Sequence, residues 1–237
     1  MFKTYKLTED PATLKKLVDA LQKNYDIRTR GTEVHVSDLV QICLREQGFR
    51  RVMPKPITEF TAFYFLLGEA CHIAAQKLID GVKTEVVVKT ADKKVQGHVD
   101  MVLNLTGTPV EVKTSTARIR FVAQHYITQL MYYMVMLNKR KGHLLYFWLS
   151  QGRLPTDPKG TLRSPSFGMY EVTITDLEFA TIKADINNKS KLFSKATAEY
   201  ETGGIGALQQ LPAAKFDETK AFKCNSCKYV TECNSID

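Results

Sequence analysis

The apolar residues of the chain follow a helical spacing in some segments and the alternation of a strand in others. The order of these segments predicts the order of the secondary-structure elements. Over residues 11–25 the apolar side chains recur every three or four positions, which is typical of an amphipathic helix. A shorter helix carrying Cys43 is expected next, with Ser37 as its N-cap and Gly48 at its end. A third helix, long and apolar, is predicted over residues 58–78.

The spacing then changes to the alternation that is typical of strands. Residues 84–116 are rich in valine and contain turn signals at 91–94 and 106–108, so they predict three strands joined by two turns. Gly97, inside the second strand, marks a bulge or a place where another part of the chain approaches the backbone closely. The elements predicted after these are a helix over 121–137, strands over 143–150 and 169–175 separated by a long loop over 150–168, and a helix over 176–195.

This order predicts an α/β fold in three parts that together form one compact unit. The parts are a helical N-terminal segment over 1–57, a core over 58–200, and a cysteine-bearing tail over 201–237 whose first half is expected to be loosely structured. The length of 237 residues and the hydrophobic share of 44% suit a single globular unit with a full apolar core.

The charge balance indicates a polyanionic partner. Lys and Arg number 33 against 25 Asp and Glu, which gives a formal net charge of +8. The most apolar stretch, residues 60–75, contains Glu69 and His72 and is shorter than the ~20 residues that a membrane span requires. The N-terminal residues lack the apolar segment of a secretory signal, so we expect a cytoplasmic protein without a membrane partner.

Five cysteines and no secretory signal favour thiols that act as metal ligands over a disulfide framework. Cys224, Cys227 and Cys233 form a C-x2-C-x5-C cluster, which is one ligand short of a complete zinc or iron–sulfur site. Cys43 or Cys71 must supply the fourth thiol. Cys71 lies in the apolar helix, where a buried structural thiol is expected, so Cys43 is preferred. One cysteine that is far along the chain from a group of three favours an iron–sulfur cluster, with zinc as the alternative metal.

A pair of acids and a lysine occupy the second and third predicted strands. Alternation places Glu111 and Lys113 on one face of the third strand, and a short hairpin brings Asp100 beside Glu111 within a residue or two of register. Carboxylates that converge in this way suit Mg²⁺ or Mn²⁺, with the lysine near the attacking water. The competing interpretation is a charged face exposed to solvent, but the apolar flanks of Asp100 and Glu111 favour burial and a ligand role.

Taken together, these motifs resemble the PD-(D/E)XK nuclease superfamily. Within it they resemble the RecB-like branch with an iron–sulfur cluster, and most closely the CRISPR-associated RecB-like exonuclease family, the fourth Cas protein. The resemblance covers residues 37–233, and Val99 stands where the superfamily's name has a proline. The residues that carry it are His72 in GEACH, Asp100 in GHVD, Glu111 and Lys113 in VEVK, Gln129 and Tyr133 in QLMYY, and Cys43 with Cys224, Cys227 and Cys233.

The resemblance implies a restriction-endonuclease-like mixed sheet flanked by helices and closed by the cysteine tail. It also implies the roles of single residues. The implied metal ligands are His72, Asp100, Glu111 and the backbone carbonyl of Val112; the implied catalytic residues are Asp100, Glu111, Lys113, Gln129 and Tyr133; and Cys43, Cys224, Cys227 and Cys233 would hold a 4Fe–4S cluster. By the residues alone, His72 also suits a core position, and Gln124 offers a second register for the Gln–Tyr pair.

The implied activity is a Mg²⁺- or Mn²⁺-dependent exonuclease on single-stranded DNA, which processes DNA ends for CRISPR spacer acquisition beside the integrase complex, alone or as a homo-oligomer. One alternative is a repair, recombination or viral end-resection nuclease of the same fold. The other is a non-catalytic DNA-binding subunit that carries the cluster. Arg118, Arg120 and the NKRK run at 138–141 are candidates for phosphate contacts, with a solvated helix end as the alternative for the run.

Overall fold

The computed structural model describes residues 11–26, 33–117, 121–153, 156–157 and 159–237, and its elements follow the predicted order closely. Its helices are α1 (Pro11–Asp26), α2 (Val36–Leu39), α3 (Leu44–Val52), α4 (Glu59–Leu78), α5 (Gln124–Met136), α6 (Asp176–Gly203) and α7 (Val230–Asn234), with 3₁₀ helices at Gly204–Gln210, Ala214–Phe216 and Ala221–Ser226. Its strands are β1 (Val34–His35), β2 (Val82–Lys89), β3 (Val95–Leu103), β4 (Pro109–Ser115), β5 (Lys141–Trp148) and β6 (Ser166–Thr173).

The strands form one mixed sheet in the order β1-β3-β4-β5-β6, with β2 paired to β3. The hairpin pairs β2–β3 and β3–β4 are antiparallel, β4 and β5 are parallel, and β5 and β6 are antiparallel. The parallel pair needs a crossover connection, which α5 provides. This sheet flanked by helices confirms the predicted α/β fold class.

The alternation of β5 shows that the two long helices next to the sheet cover opposite faces. Leu144 and Trp148 belong to the main apolar core together with α5, whereas Leu145 joins a smaller core with Ala75 of α4. Because neighbouring side chains of a strand point to opposite faces, α5 and α4 sandwich the sheet. The central strands β4 and β5 are therefore covered on both sides.

Helix α4 begins where the sequence predicts. The hydroxyl of Thr58 caps it by accepting a hydrogen bond of 3.2 Å from the backbone N–H of Thr61. The chain turns at Gly81, which has a positive φ of 71° and so suits glycine. Across the described ranges no helix combines the length and apolar character needed to cross a membrane.

The prediction around Cys43 was wrong in detail, since this segment holds two short helices instead of one. Ser37 lies inside α2, and Cys43 itself is the N-cap of α3. Gly48 does not end a helix but lies inside α3. A side chain at that position would collide with Leu211, whose Cδ1 atom is 2.5 Å from the place of the missing Cβ. The glycine therefore serves packing between distant segments.

The C-terminal part is more ordered than predicted. Thr175 and Glu178 form a capping box at the start of α6, and the helix continues to Gly203, beyond the predicted end at residue 195. The stretch expected to be loose contains 3₁₀ helices, and Leu208 and Leu211 in it are buried in the main core. The apolar contacts of those two leucines order the chain on its way to the last three cysteines.

Arg45 of α3 fastens the C-terminal segment to the N-terminal one. Its guanidinium donates hydrogen bonds to the backbone carbonyls of Leu211 (2.9 Å) and Gln209 (2.7 Å) and to the carboxylate of Asp237 (2.8 Å). The side chain is almost fully buried, with 3% exposed. A buried charge is tolerated only when its donors are satisfied in this way.

Replacing Arg45 by methionine is expected to lower the free energy of unfolding by about 3–5 kcal/mol, because it leaves buried carbonyls without donors. The matched control is Arg50→Met on the same helix. Arg50 is 57% exposed and pairs with Glu46, so its loss should cost less than about 1 kcal/mol. Urea unfolding of the two variants measures the difference, and equal midpoints would show that Arg45 does not fasten the segments.

Candidate active site and cysteine cavity

The antiparallel strands β3 and β4 part at Asp100, and this opening forms the base of the candidate active site. The strands are paired at Met101 and Val110, and the same register continued by one residue sets Asp100 opposite Glu111, as predicted. There the Oδ2 atom of Asp100 accepts a hydrogen bond of 2.6 Å from the backbone N–H of Val112. Both acids are buried, so the opening holds two neighbouring carboxyl groups.

Glu111 and Lys113 lie on one face of β4, as the strand alternation predicts, and form an ion pair between Oε1 and Nζ. The second oxygen of Glu111, Oε2, is buried and has no hydrogen-bond partner among the described residues. Burial raises the pKa of the Glu111 carboxyl, against the lowering effect of the Lys113 ammonium and with a further rise from the charge of Asp100. A buried oxygen without a donor is costly unless a cation or a proton satisfies it.

His72 of α4 reaches the same opening. Its Nδ1 atom lies 3.3 Å from Oδ1 of Asp100. Burial disfavours the charged imidazole, but the hydrogen bond and the charge of Asp100 outweigh it and leave the pKa of His72 raised. One helical turn later, the Nε2 atom of Gln76 donates to the backbone carbonyl of Asp100 (3.1 Å) and to Glu85 (2.5 Å). Gln76 was not predicted as a site residue, although it lies four residues after His72 and this spacing places the two side chains on the same face of the helix.

Gln129 and Tyr133 of α5 approach the opening from the other face of the sheet. The amide of Gln129 donates a hydrogen bond of 3.0 Å to the hydroxyl of Tyr133. The ring of Tyr133 lies against Gly97, where a Cβ would be 2.4 Å from Cε1, so the predicted close approach is confirmed. Burial, and then the charge of Glu111, raise the pKa of Tyr133 well above its usual range. The competing Gln124 is exposed in the first turn of α5.

The residues predicted to contact phosphate outside this opening fall into two groups. Arg118 and Arg120 lie outside the described residues. The cations of the NKRK run are engaged within the protein. Lys139 donates to a backbone carbonyl in the β3–β4 turn (2.7 Å), Arg140 pairs with a carboxylate at the start of α6 (2.7 Å), and Lys141 pairs with one on β6 (3.0 Å). These three side chains connect elements of the fold.

The structure brings four of the five cysteines together. Cys43, Cys224, Cys227 and Cys233 line one cavity of about 120 Å³, whereas Cys71 lies apart on α4 and is partly rather than fully buried. Because about 10–15 Å³ suffices for one water molecule, this cavity has room for a group of several atoms.

The sulfurs of the cavity accept hydrogen bonds from nearby N–H groups. Cys43 accepts from the backbone N–H of Glu46 at the start of α3 (3.4 Å), and its sulfur also lies 3.5 Å from the amide nitrogen of Ala214. Cys227 accepts from the backbone of Tyr229 (3.4 Å). Such donors stabilise thiolates, as the sulfurs of a metal centre require.

The thiols also influence one another electrostatically. Burial raises the pKa of Cys224, and its neighbours Cys43 and Cys233 raise it further. Among the residues that the structure describes, no three His, Cys, Asp or Glu side chains converge tightly enough to hold a single metal ion.

Comparisons with known proteins agree with the geometry. The family model described as "PD-(D/E)XK nuclease superfamily" matches residues 7–234. No curated protein sequence gives a significant match. The solved structure of SSO0001 has a TM-score of 0.59 at 17% identity, over 94% of this chain and 96% of that one. At this identity the similarity concerns the fold.

Two solved exonuclease structures are less similar to this chain. A phage related exonuclease from Haemophilus somnus 129PT has a TM-score of 0.45 at 10% identity, over 70% of this chain and 96% of its own. The alkaline exonuclease LHK-Exo from Laribacter hongkongensis has a TM-score of 0.45 at 10% identity, over 76% of this chain and 97% of its own.

Replacing Gly97 by alanine is expected to destabilise the protein by about 1–3 kcal/mol, because the new methyl group would overlap the ring of Tyr133. Gly68 of α4 provides the control. Its nearest neighbour, the hydroxyl of Thr114, is 3.5 Å from the place of a Cβ, so Gly68→Ala should be neutral or stabilising by up to about 1 kcal/mol. Thermal unfolding compares the two. A Gly97→Ala variant as stable as Gly68→Ala would contradict the close contact.

Proposed function

The chain belongs to the PD-(D/E)XK nuclease superfamily, and on that premise we propose that it is a Mg²⁺- or Mn²⁺-dependent deoxyribonuclease that degrades single-stranded DNA from an end. The observation that carries the metal dependence is the buried Oε2 atom of Glu111, which has no partner among the described residues and lies beside a second buried acid, Asp100. The excess of Lys and Arg over Asp and Glu suits a DNA substrate.

The oxygen donors in the opening are of the type that a hard divalent cation prefers. Asp100 and Glu111 supply carboxylate oxygens, and His72 and the backbone carbonyl of Val112 complete the proposed ligands. When bound, the cation would lower the pKa of a water molecule and polarise the phosphate. Glu111 would hold the cation through its Oε2 atom, while its Oε1 atom keeps the pairing with Lys113.

Lys113 is then the catalytic cation. Its ammonium, beside Glu111, would orient the attacking water and neutralise the charge that develops on the phosphate. Tyr133 is a neutral hydroxyl donor at pH 7, because its pKa is raised well above the usual range, and Gln129 holds that hydroxyl in place. Both residues orient the site from α5.

We further propose that Cys43, Cys224, Cys227 and Cys233 hold an iron–sulfur cluster of the 4Fe–4S type. The donor set fits such a group, because four thiols surround a cavity larger than one ion needs and receive N–H hydrogen bonds. The proposed role is structural. The cluster would join the start of α3 to the end of the chain, in parallel with the bonds of Arg45.

The cellular setting is proposed from the sequence resemblance. We propose that the nuclease processes DNA ends for CRISPR spacer acquisition beside the integrase complex. A repair, recombination or viral end-resection nuclease remains the alternative, and the genes adjacent to this one distinguish the two. A non-catalytic DNA-binding subunit is disfavoured, since two acids, a lysine and a histidine still converge in one opening.

Replacing Lys113 by methionine or Asp100 by asparagine is expected to reduce DNA degradation at least ~100-fold, because the first change removes the cation that offsets the charge of the transition state and the second removes a carboxylate proposed to bind the metal. The measurement is cleavage of end-labelled single- and double-stranded DNA by purified protein with Mn²⁺. Lys141→Met and Glu171→Gln are matched controls, since these residues form an exposed ion pair of 3.0 Å on β5 and β6. Undiminished degradation by the Lys113 and Asp100 variants would overturn the catalytic assignment.

The purified protein is expected to be brown, with iron bound and broad visible absorption. Cys43→Ser should lose iron and stability, because one of four cluster ligands is removed. Cys71→Ser should retain both, since Cys71 does not line the cavity. Metal analysis and absorption spectra of the three proteins test this. A colourless protein with stoichiometric zinc would refute the iron–sulfur proposal.

A further inference from the structure

Two aromatic rings lie at the start of α5, beside the proposed catalytic lysine. The ring centroids of His125 and Tyr126 are 4.0 Å apart with an interplanar angle of 53°. The Nζ atom of Lys113 lies over the ring of Tyr126, 5.1 Å from its centroid. Both aromatic residues are half-buried, so part of their ring surface is open to a ligand at the edge of the active-site opening.

The ring of Tyr126 is held from behind by further aromatic residues. Its centroid is 6.2 Å from that of Tyr146 on β5, which in turn lies 4.9 Å from Trp148. Tyr146 and Trp148 are buried. This backing limits the rotation of Tyr126, so a ligand would meet an ordered ring.

The charges around the pair suit a nucleic acid strand. Burial lowers the pKa of His125 to about 4, and two ammonium groups add to this effect. They belong to Lys223, near the cysteine cavity, and to Lys113, in the opening. At neutral pH the imidazole is therefore uncharged, and two cations act on it. Those cations would also attract the phosphates that flank a stacked base.

We propose that His125 and Tyr126 form a stacking platform for a base of the DNA strand, next to the phosphate that Lys113 contacts. This inference rests on the proposed nuclease function and adds the position of the substrate strand. Every base has a π-face, so such a platform binds single strands with little sequence preference. Base pairs keep duplex bases in their own stack, so the platform also gives a physical reason for a preference for single-stranded ends.

The experiment measures binding of a single-stranded oligonucleotide that carries 2-aminopurine next to the terminal phosphodiester, with Ca²⁺ in place of Mg²⁺. Wild-type protein and Tyr126→Phe are expected to quench the fluorescence, because both retain a ring. Tyr126→Leu keeps apolar volume but has no π-face. The Tyr126→Leu variant should leave the 2-aminopurine fluorescence unquenched and weaken binding at least about fivefold.

Two controls separate stacking from general damage. Phe60→Leu removes an exposed aromatic ring at the far end of α4 and should bind as the wild type does. An oligonucleotide with an abasic site at the probed position should bind the wild type at least about fivefold more weakly, and Tyr126→Leu with no additional loss. The abasic strand tests the platform on unmutated protein, independently of how any variant folds.

The outcomes distinguish the two proposals. Unchanged binding and quenching with Tyr126→Leu, or equal wild-type affinity for the abasic and intact strands, would overturn the platform. If Lys113→Met still abolishes cleavage in that case, the nuclease assignment stands. Binding and quenching that depend on Tyr126, in a wild-type protein that cleaves no DNA with Mn²⁺, would support the platform and overturn the nuclease. A wild-type protein that neither binds nor cleaves DNA overturns both.

Discussion

The chemistry of this protein depends on one local departure from β-sheet pairing. Where β3 and β4 part, the carboxylate of Asp100 takes the backbone N–H of Val112 that a neighbouring strand would otherwise use. That bond fixes the carboxylate at the opening and keeps the strands apart beside Glu111. Two acids held together in a buried place repel each other and lose hydration. The neighbouring imidazole of His72 and the ammonium of Lys113 offset part of that cost.

The side chains around this opening come from helices on both faces of the sheet. β1 pairs with β3 at Val95 and Gln96, and β4 pairs with it at Met101 and Val102, so Gly97 lies between the two pairings. Tyr133 packs there from α5. The absence of a side chain at Gly97 permits that packing. The helices thus close the sheet where the strands leave it open.

A second constraint joins the ends of the chain. Arg45 binds carbonyls of the C-terminal segment, and Cys43, only two residues earlier, lines a cavity with cysteines almost 200 positions away. The two features reinforce each other, since the start of α3 can hold its place in the cavity only while the returning segment is packed against it. The positive charge of Lys223 in that segment lowers the pKa of His125, so the cysteine region acts electrostatically on the start of α5.

The elements could be predicted because their apolar spacing is set by local geometry. The hairpin register also followed from the short turn, which allows few alignments of Asp100 with Glu111. The predictions failed where a residue contacts a segment that is distant along the chain. Gly48 was expected to end a helix, but packing of Leu211 explains it. Gln76, His125 and Tyr126 were missed because their partners come from other elements.

The sequence by itself determined which residues share a face of β4, since alternation is a property of a single strand. It also determined the local grouping of three cysteines. Only the tertiary structure decided that Cys43 joins them and that Cys71 stays apart. It also decided which oxygen of Glu111 is left without a partner. Such facts depend on the positions of several elements at once, and no short-range pattern in a sequence records them.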